Sequence, residues 1–150
     1  MSDTRGEYRS PARGGQLLLF KGLRWGKITP TDFDLFIDFG GRGFVLGEIK
    51  YRDAAVPFGQ RLAIERAASA WSLGGIRVLA MIAGHDTETG DVIVADAIVR
   101  ETWRCRGAGP AHWMPMLTVT TVAALIERFH AHITGLAHAD DCPTLTGETR

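Results

Sequence analysis

The residues best suited to chemistry are Asp32 and Asp34, in the run Pro30-Thr31-Asp32-Phe33-Asp34, and Glu48 and Lys50, in Gly47-Glu48-Ile49-Lys50. On an extended strand, residues two apart share a face, so Glu48 and Lys50 project together. An acid and a base on a strand whose other residues are apolar need partners, because a buried charge is costly unless it is paired or coordinates a metal. An aspartate entering the neighbouring strand would supply a second carboxylate. Two carboxylates and the backbone carbonyl of Ile49 would form a hard oxygen site suited to Mg²⁺, with Mn²⁺ as substitute. A divalent ion makes water easier to deprotonate and neutralises a phosphate. Lys50 would orient or deprotonate the attacking water, or stabilise the charged phosphorane. Asp34 stands nearer the strand and is the favoured ligand. Asp32 is the alternative, or a supporting partner.

These side chains need a scaffold. Leu35–Phe39 reads as a strand, Gly40-Gly41-Arg42-Gly43 as a tight turn and Phe44–Tyr51 as a second strand, which together make an antiparallel hairpin. If Phe39 paired directly with Phe44, Asp34 would stand opposite Ile49 and point away from the face of Glu48. A three-residue turn or a bulge is therefore expected. Gln60–Leu73 has helical spacing, with Leu62, Ala63, Ala67, Ala70 and Trp71 as its apolar stripe and Gly74-Gly75 as its stop. Ile76–Ala83 reads as a strand buried on both faces and Val92–Trp103 as a long strand. A last helix, capped by Thr118 or Thr120, runs to about His132 with Val122, Leu125, Ile126, Phe129 and Ile133 inward. The expected class is α/β, a central mixed sheet flanked by helices.

The aspartates ahead of the hairpin, together with Glu48-Ile49-Lys50 and the following helix, resemble the PD-(D/E)XK nuclease superfamily. This group includes restriction enzymes, Holliday junction resolvases and small phage-type nucleases. The resemblance covers roughly residues 28 to 100. It implies a restriction-endonuclease-like core and divalent-metal hydrolysis of phosphodiester bonds in DNA. Asp34, Glu48, Lys50 and Gln60 would be catalytic, and Asp34, Glu48, Ile49 and Asp32 would hold the metal. Gln60 matches a glutamine found at the start of this helix in some branches.

The chain has 150 residues, 45% hydrophobic and 23% charged, which suits one domain with a real core. The expected organisation is a flexible basic segment at 1–15, one domain at 16–135 and a flexible tail at 136–150. No apolar run nears the ~18 residues of a membrane span. No apolar leader is visible either, so a cytoplasmic, non-membrane protein is expected, in a host cytoplasm if the chain is phage-encoded. Net charge is zero. The stretch from Met1 to Lys27 is nonetheless basic, with six basic residues against two acidic ones. Arg24, Lys27, Arg52 and Arg61 are the expected nucleic-acid contacts. A domain this small often needs a second copy to span a duplex, so a homodimer is one arrangement to look for.

Plainer readings compete. Asp32 and Asp34 can serve as turn or cap residues. Glu48 and Lys50 can be an ion pair on a solvated edge. Arg61 and Glu65 are spaced to pair along one helix. His85-Asp86-Thr87-Glu88 reads as a polar loop, and the histidines lack zinc spacing. Cys105 and Cys142 read as free thiols. Two other functions stay open: a nuclease fold that binds nucleic acid or protein without cutting, and a structural or inhibitory protein.

Overall fold

The computed structural model describes residues 21–28, 30–105 and 110–135. The flexible segments expected at 1–15 and 136–150, the apolar run Gln16–Phe20 and Cys142 lie outside the described residues. The chain divides into two units, Met1–Pro30 and Thr31–Arg150. In the first, Trp25 and Ile28 exchange two backbone hydrogen bonds of 3.0 Å around a tight turn, and Arg24 Nε donates to the Gly26 carbonyl at 2.8 Å. The sheet-bearing unit begins at Thr31.

The second unit is α/β. Its elements are β1 (Leu35–Asp38), β2 (Gly43–Tyr51), α1 (Phe58–Leu73), β3 (Arg77–His85), a 3₁₀ turn (Val94–Asp96), β4 (Ile98–Arg104), β5 (His112–Pro115) and α2 (Val122–Thr134). The strands form one sheet in the order β1-β2-β3-β4-β5. Only β2 and β3 pair in parallel, with α1 as the crossover between them. Among the described residues no helix is long and apolar enough to cross a membrane.

The hairpin turn sets the register. Phe39 N–H donates to the Gly43 carbonyl at 3.0 Å, which leaves Gly40, Gly41 and Arg42 as a three-residue loop. Gly40 and Gly41 sit at φ of 66° and 73°, a region costly for residues with a Cβ. Asp38 Oδ1 fastens the loop by accepting from Gly41 N–H at 2.6 Å. Leu35 then pairs with Gly47, and continuing that register by one residue sets Asp34 opposite Glu48. The irregularity expected at this turn is present.

The sheet carries a separate apolar layer on each face. Toward α2, Val45, Leu79, Met81, Ala83 and Val99 meet Val122, Leu125 and Phe129, with Leu35, Ile37 and Ile49 at the margin. Thr121, not Thr118 or Thr120, caps α2 by accepting from Ala124 N–H at 3.2 Å. Toward α1, Leu46 and Ala80 meet Ile64 and Ala68.

Several boundaries differ from expectation. Helix α1 starts at Phe58, not Gln60, because Pro57 is accommodated as the residue before the first turn. Its buried line is Ile64, Ala68 and Ser72, whereas Ala70 is exposed and Leu62 and Ala63 are half-buried. The strand expected at Ile76–Ala83 runs from Arg77 to His85. Residues 92–97 are not strand, since the 3₁₀ turn at Val94–Asp96 intervenes before β4. The short strand β5, flanked by Pro110 and ending on Pro115, was not expected at all.

Candidate active site

Strand β2 alternates between the two apolar layers, with Val45 and Ile49 toward α2 and Leu46 toward α1. Glu48 and Lys50 share the face of Leu46 and so lie under the start of α1. Glu48 is 1% exposed, and its Oε1 accepts from Lys50 Nζ at 2.5 Å. Lys50 Nζ also donates to Gln60 Oε1, on the first turn of α1, at 3.2 Å. The ammonium is thus held between strand and helix, and the solvated edge pair is excluded for Glu48. Glu48 Oε2 is buried and has no hydrogen-bond partner among the described residues.

Burial raises the Glu48 pKa above the usual carboxylate range. The Lys50 hydrogen bond opposes that rise, and the negative charge of Asp34, then the positive charge of Lys50 and the weaker negative charge of Asp32, adjust it further. Asp34 and Asp32 are both exposed. Asp34 Oδ2 accepts from Ile49 N–H at 2.8 Å, which ties it to the strand that carries Glu48. In an extended chain a residue's N–H and C=O point to the same side, so the Ile49 carbonyl also faces the edge where Asp34 sits. Asp34, Glu48 and the Ile49 backbone are thus neighbours where β1 begins, and the charge of Asp34 acts on Glu48 more strongly than that of Asp32.

This donor set fits a hard divalent cation in one respect: a deeply buried carboxylate oxygen lacks a partner beside a second carboxylate. It is sparse in another, since among the described residues no three His, Cys, Asp or Glu side chains gather to hold a metal.

The expected nucleic-acid contacts fare unevenly. Arg61 makes a two-pronged bond to Glu101 on β4, at 3.1 and 2.9 Å, and its guanidinium lies 4.8 Å from the Trp113 ring centre. It does not pair with Glu65, which instead accepts from Trp113 Nε1 at 2.6 Å. Ser69 accepts from Trp103 Nε1 at 3.1 Å. This row on α1 is spent on docking the helix against β4 and β5. Arg52 Nη2 bonds Glu88 at 2.7 Å on the exposed rim, and its guanidinium lies 4.9 Å from the centre of the Tyr51 ring. Arg24 and Lys27 belong to the first unit and are exposed. His85 and Glu88 do not act together: His85 packs edge-on against Tyr51, and Glu88 faces Arg52. Arg100, described below, escaped the sequence reading, because an arginine inside an apolar strand carries no spacing signal.

Comparison with protein-family models, with curated proteins and with solved structures gives no match. The functional reading therefore rests on the residues themselves.

Proposed function

We propose that this chain is a divalent-metal-dependent nuclease of the PD-(D/E)XK type, with a restriction-endonuclease-like core, that hydrolyses phosphodiester bonds in DNA. The observation that carries this reading is Glu48. It is fully buried, engages Lys50 with one oxygen and leaves the other without a partner among the described residues, opposite Asp34 across the hairpin. A lone structural ion pair is a poor reason to bury such a group, because the desolvation penalty of a buried pair can exceed its attraction.

Asp34, Glu48 and the Ile49 carbonyl would hold Mg²⁺ or Mn²⁺. Such an ion, when bound, would supply charge neutralisation at the phosphate and make a water easier to deprotonate. Glu48 must be ionised to take part, and Lys50 favours that state. Gln60 and Glu48 fix the ammonium of Lys50 so that its remaining donor capacity can orient a water or meet a phosphate oxygen. Asp34 is held in place by the Ile49 N–H, which leaves Oδ1 for a cation.

A cleavage panel over duplex, branched and single-stranded DNA, and RNA, with Mg²⁺ or Mn²⁺ tests the proposal. Wild-type protein should cut a DNA form. Glu48→Ala and Lys50→Ala should each slow cutting by roughly a hundredfold or more with the far-UV circular dichroism unchanged. Equal rates for wild type and both variants, or no cutting of any substrate, would overturn it. The sparse ligand set favours one competitor, a nuclease-fold module that binds without cutting. Calorimetric titration with Mg²⁺ separates them: the nuclease takes up the ion and loses that uptake in Glu48→Ala, whereas the module shows no uptake.

A further inference from the structure

Strand β4 contains an extra residue. Ile82 of β3 pairs with Glu101, but the next residue, Ala83, pairs with Val99, so Arg100 is left over as a bulge. The bulge lets Val99 and Glu101, two apart, point to opposite faces: Val99 joins the layer under α2, and Glu101 reaches Arg61 on α1. It also re-aims Arg100. Gly84, which pairs with Lys50 across the parallel strands, has no side chain, and Arg100 uses that space. A Cβ on Gly84 would lie 3.4 Å from Arg100 Cδ and 2.6 Å from the Arg52 carbonyl oxygen. The Arg100 guanidinium crosses this gap and donates to the carbonyls of Arg52 at 3.0 Å and Ala54 at 3.2 Å.

Those two anchors fix the side chain without neutralising it. Arg52 and Arg61 have carboxylate partners, and so does Lys50. Among the described residues no carboxylate pairs with Arg100. A planar cation with five N–H donors, two of them engaged, is thus held on a half-buried residue beside the strand position of Lys50. Backbone phosphate is the ligand that such a preset fork fits best, since guanidinium meets phosphate through paired, charge-assisted bonds.

We infer that Arg100 is a substrate-binding residue that grips a backbone phosphate of the DNA strand next to the Glu48–Lys50 centre. This rests on the nuclease reading for the identity of the substrate. The bulge and Gly84 exist, on this view, to set the guanidinium at that place.

Binding of a labelled DNA substrate is measured by fluorescence anisotropy over a range of KCl concentrations, in protein carrying Glu48→Gln to suppress cutting, with Arg100, Arg100→Gln or Arg100→Lys. The KM and kcat of Arg100→Gln and Arg100→Lys are measured separately with Glu48 intact. Arg100→Gln should weaken binding about tenfold or more at low salt and raise KM more than it lowers kcat. The slope of log K against log salt should fall by about one, the signature of one lost phosphate contact. Arg100→Lys, which keeps the charge, should keep most of the slope. Weaker binding with an unchanged slope would assign Arg100 a structural role and overturn the inference, as would unchanged binding. If wild type cuts DNA while Arg100→Gln matches it in KM and slope, the phosphate contact fails alone. If the slope changes as stated but wild type cuts nothing, the nuclease reading fails and the contact stands. Wild-type protein that binds no DNA at low salt ends both.

Discussion

Glu48 is the residue on which the site turns, and its protonation can be read through stability. Burial raises its pKa in the folded chain, so folding favours the protonated carboxyl. The stabilisation tied to that proton is complete below the ordinary carboxylate range and is lost as pH climbs through the raised value. Glu48→Gln keeps the shape and an acceptor for Lys50 but cannot ionise. In the presence of a chelator, the variant should therefore melt progressively above wild type as pH rises through and beyond the ordinary carboxylate range. Differential scanning fluorimetry against pH checks this, and parallel curves would contradict it. Mg²⁺ should narrow the gap by stabilising the wild type alone. That Glu48 and Lys50 share a face was legible from a strand's two-residue alternation, whereas Asp34 comes opposite Glu48 only through the three-residue turn at residues 40–42. The partners of Arg52 and Arg61 were not, since Glu88 and Glu101 are distant in sequence.

At the scale of elements, the first helix explains which expectations succeeded. Ala67 and Trp71 of its expected stripe do pack under the sheet, but its centre lies at Ile64, Ala68 and Ser72 and Ala70 is exposed, because the helix is rich in alanine, which contrasts weakly with its neighbours, and because its polar row is not turned to water. Arg61, Glu65 and Ser69 clasp Glu101, Trp113 and Trp103 instead. Arg61→Ala should cost about 1–3 kcal/mol of stability, since it removes a half-buried two-pronged bond and leaves Glu101 without its partner. Urea denaturation measures this cost. A variant as stable as wild type but weaker in DNA binding would return Arg61 to the role the sequence first suggested. The hairpin was legible from its glycines. Strand β5 was hidden by its length and flanking prolines, and the bulge at Arg100 breaks the alternation on which strand reading depends.

For the molecule as a whole, the sheet acts as a partition. The α/β class with a mixed sheet between helices followed from the order of apolar segments, and the parallel pairing of β2 with β3 is what lets α1 deliver Gln60 to Lys50. The layer under α2 is apolar and lies on the far side of the sheet from Lys50 and Gln60. Leu125→Ala, deep in that layer, should cost about 2–5 kcal/mol of stability. At temperatures where the variant stays folded, its KM and kcat for DNA should match wild type, and a large fall in kcat would show that the two faces communicate. The side facing α2 thus offers room for thermal hardening by repacking alone, where sequence drift can accumulate or be engineered with little tax on turnover. On the proposed nuclease reading, variants that keep Glu48, Lys50 and Gln60 would tolerate the widest change in this layer.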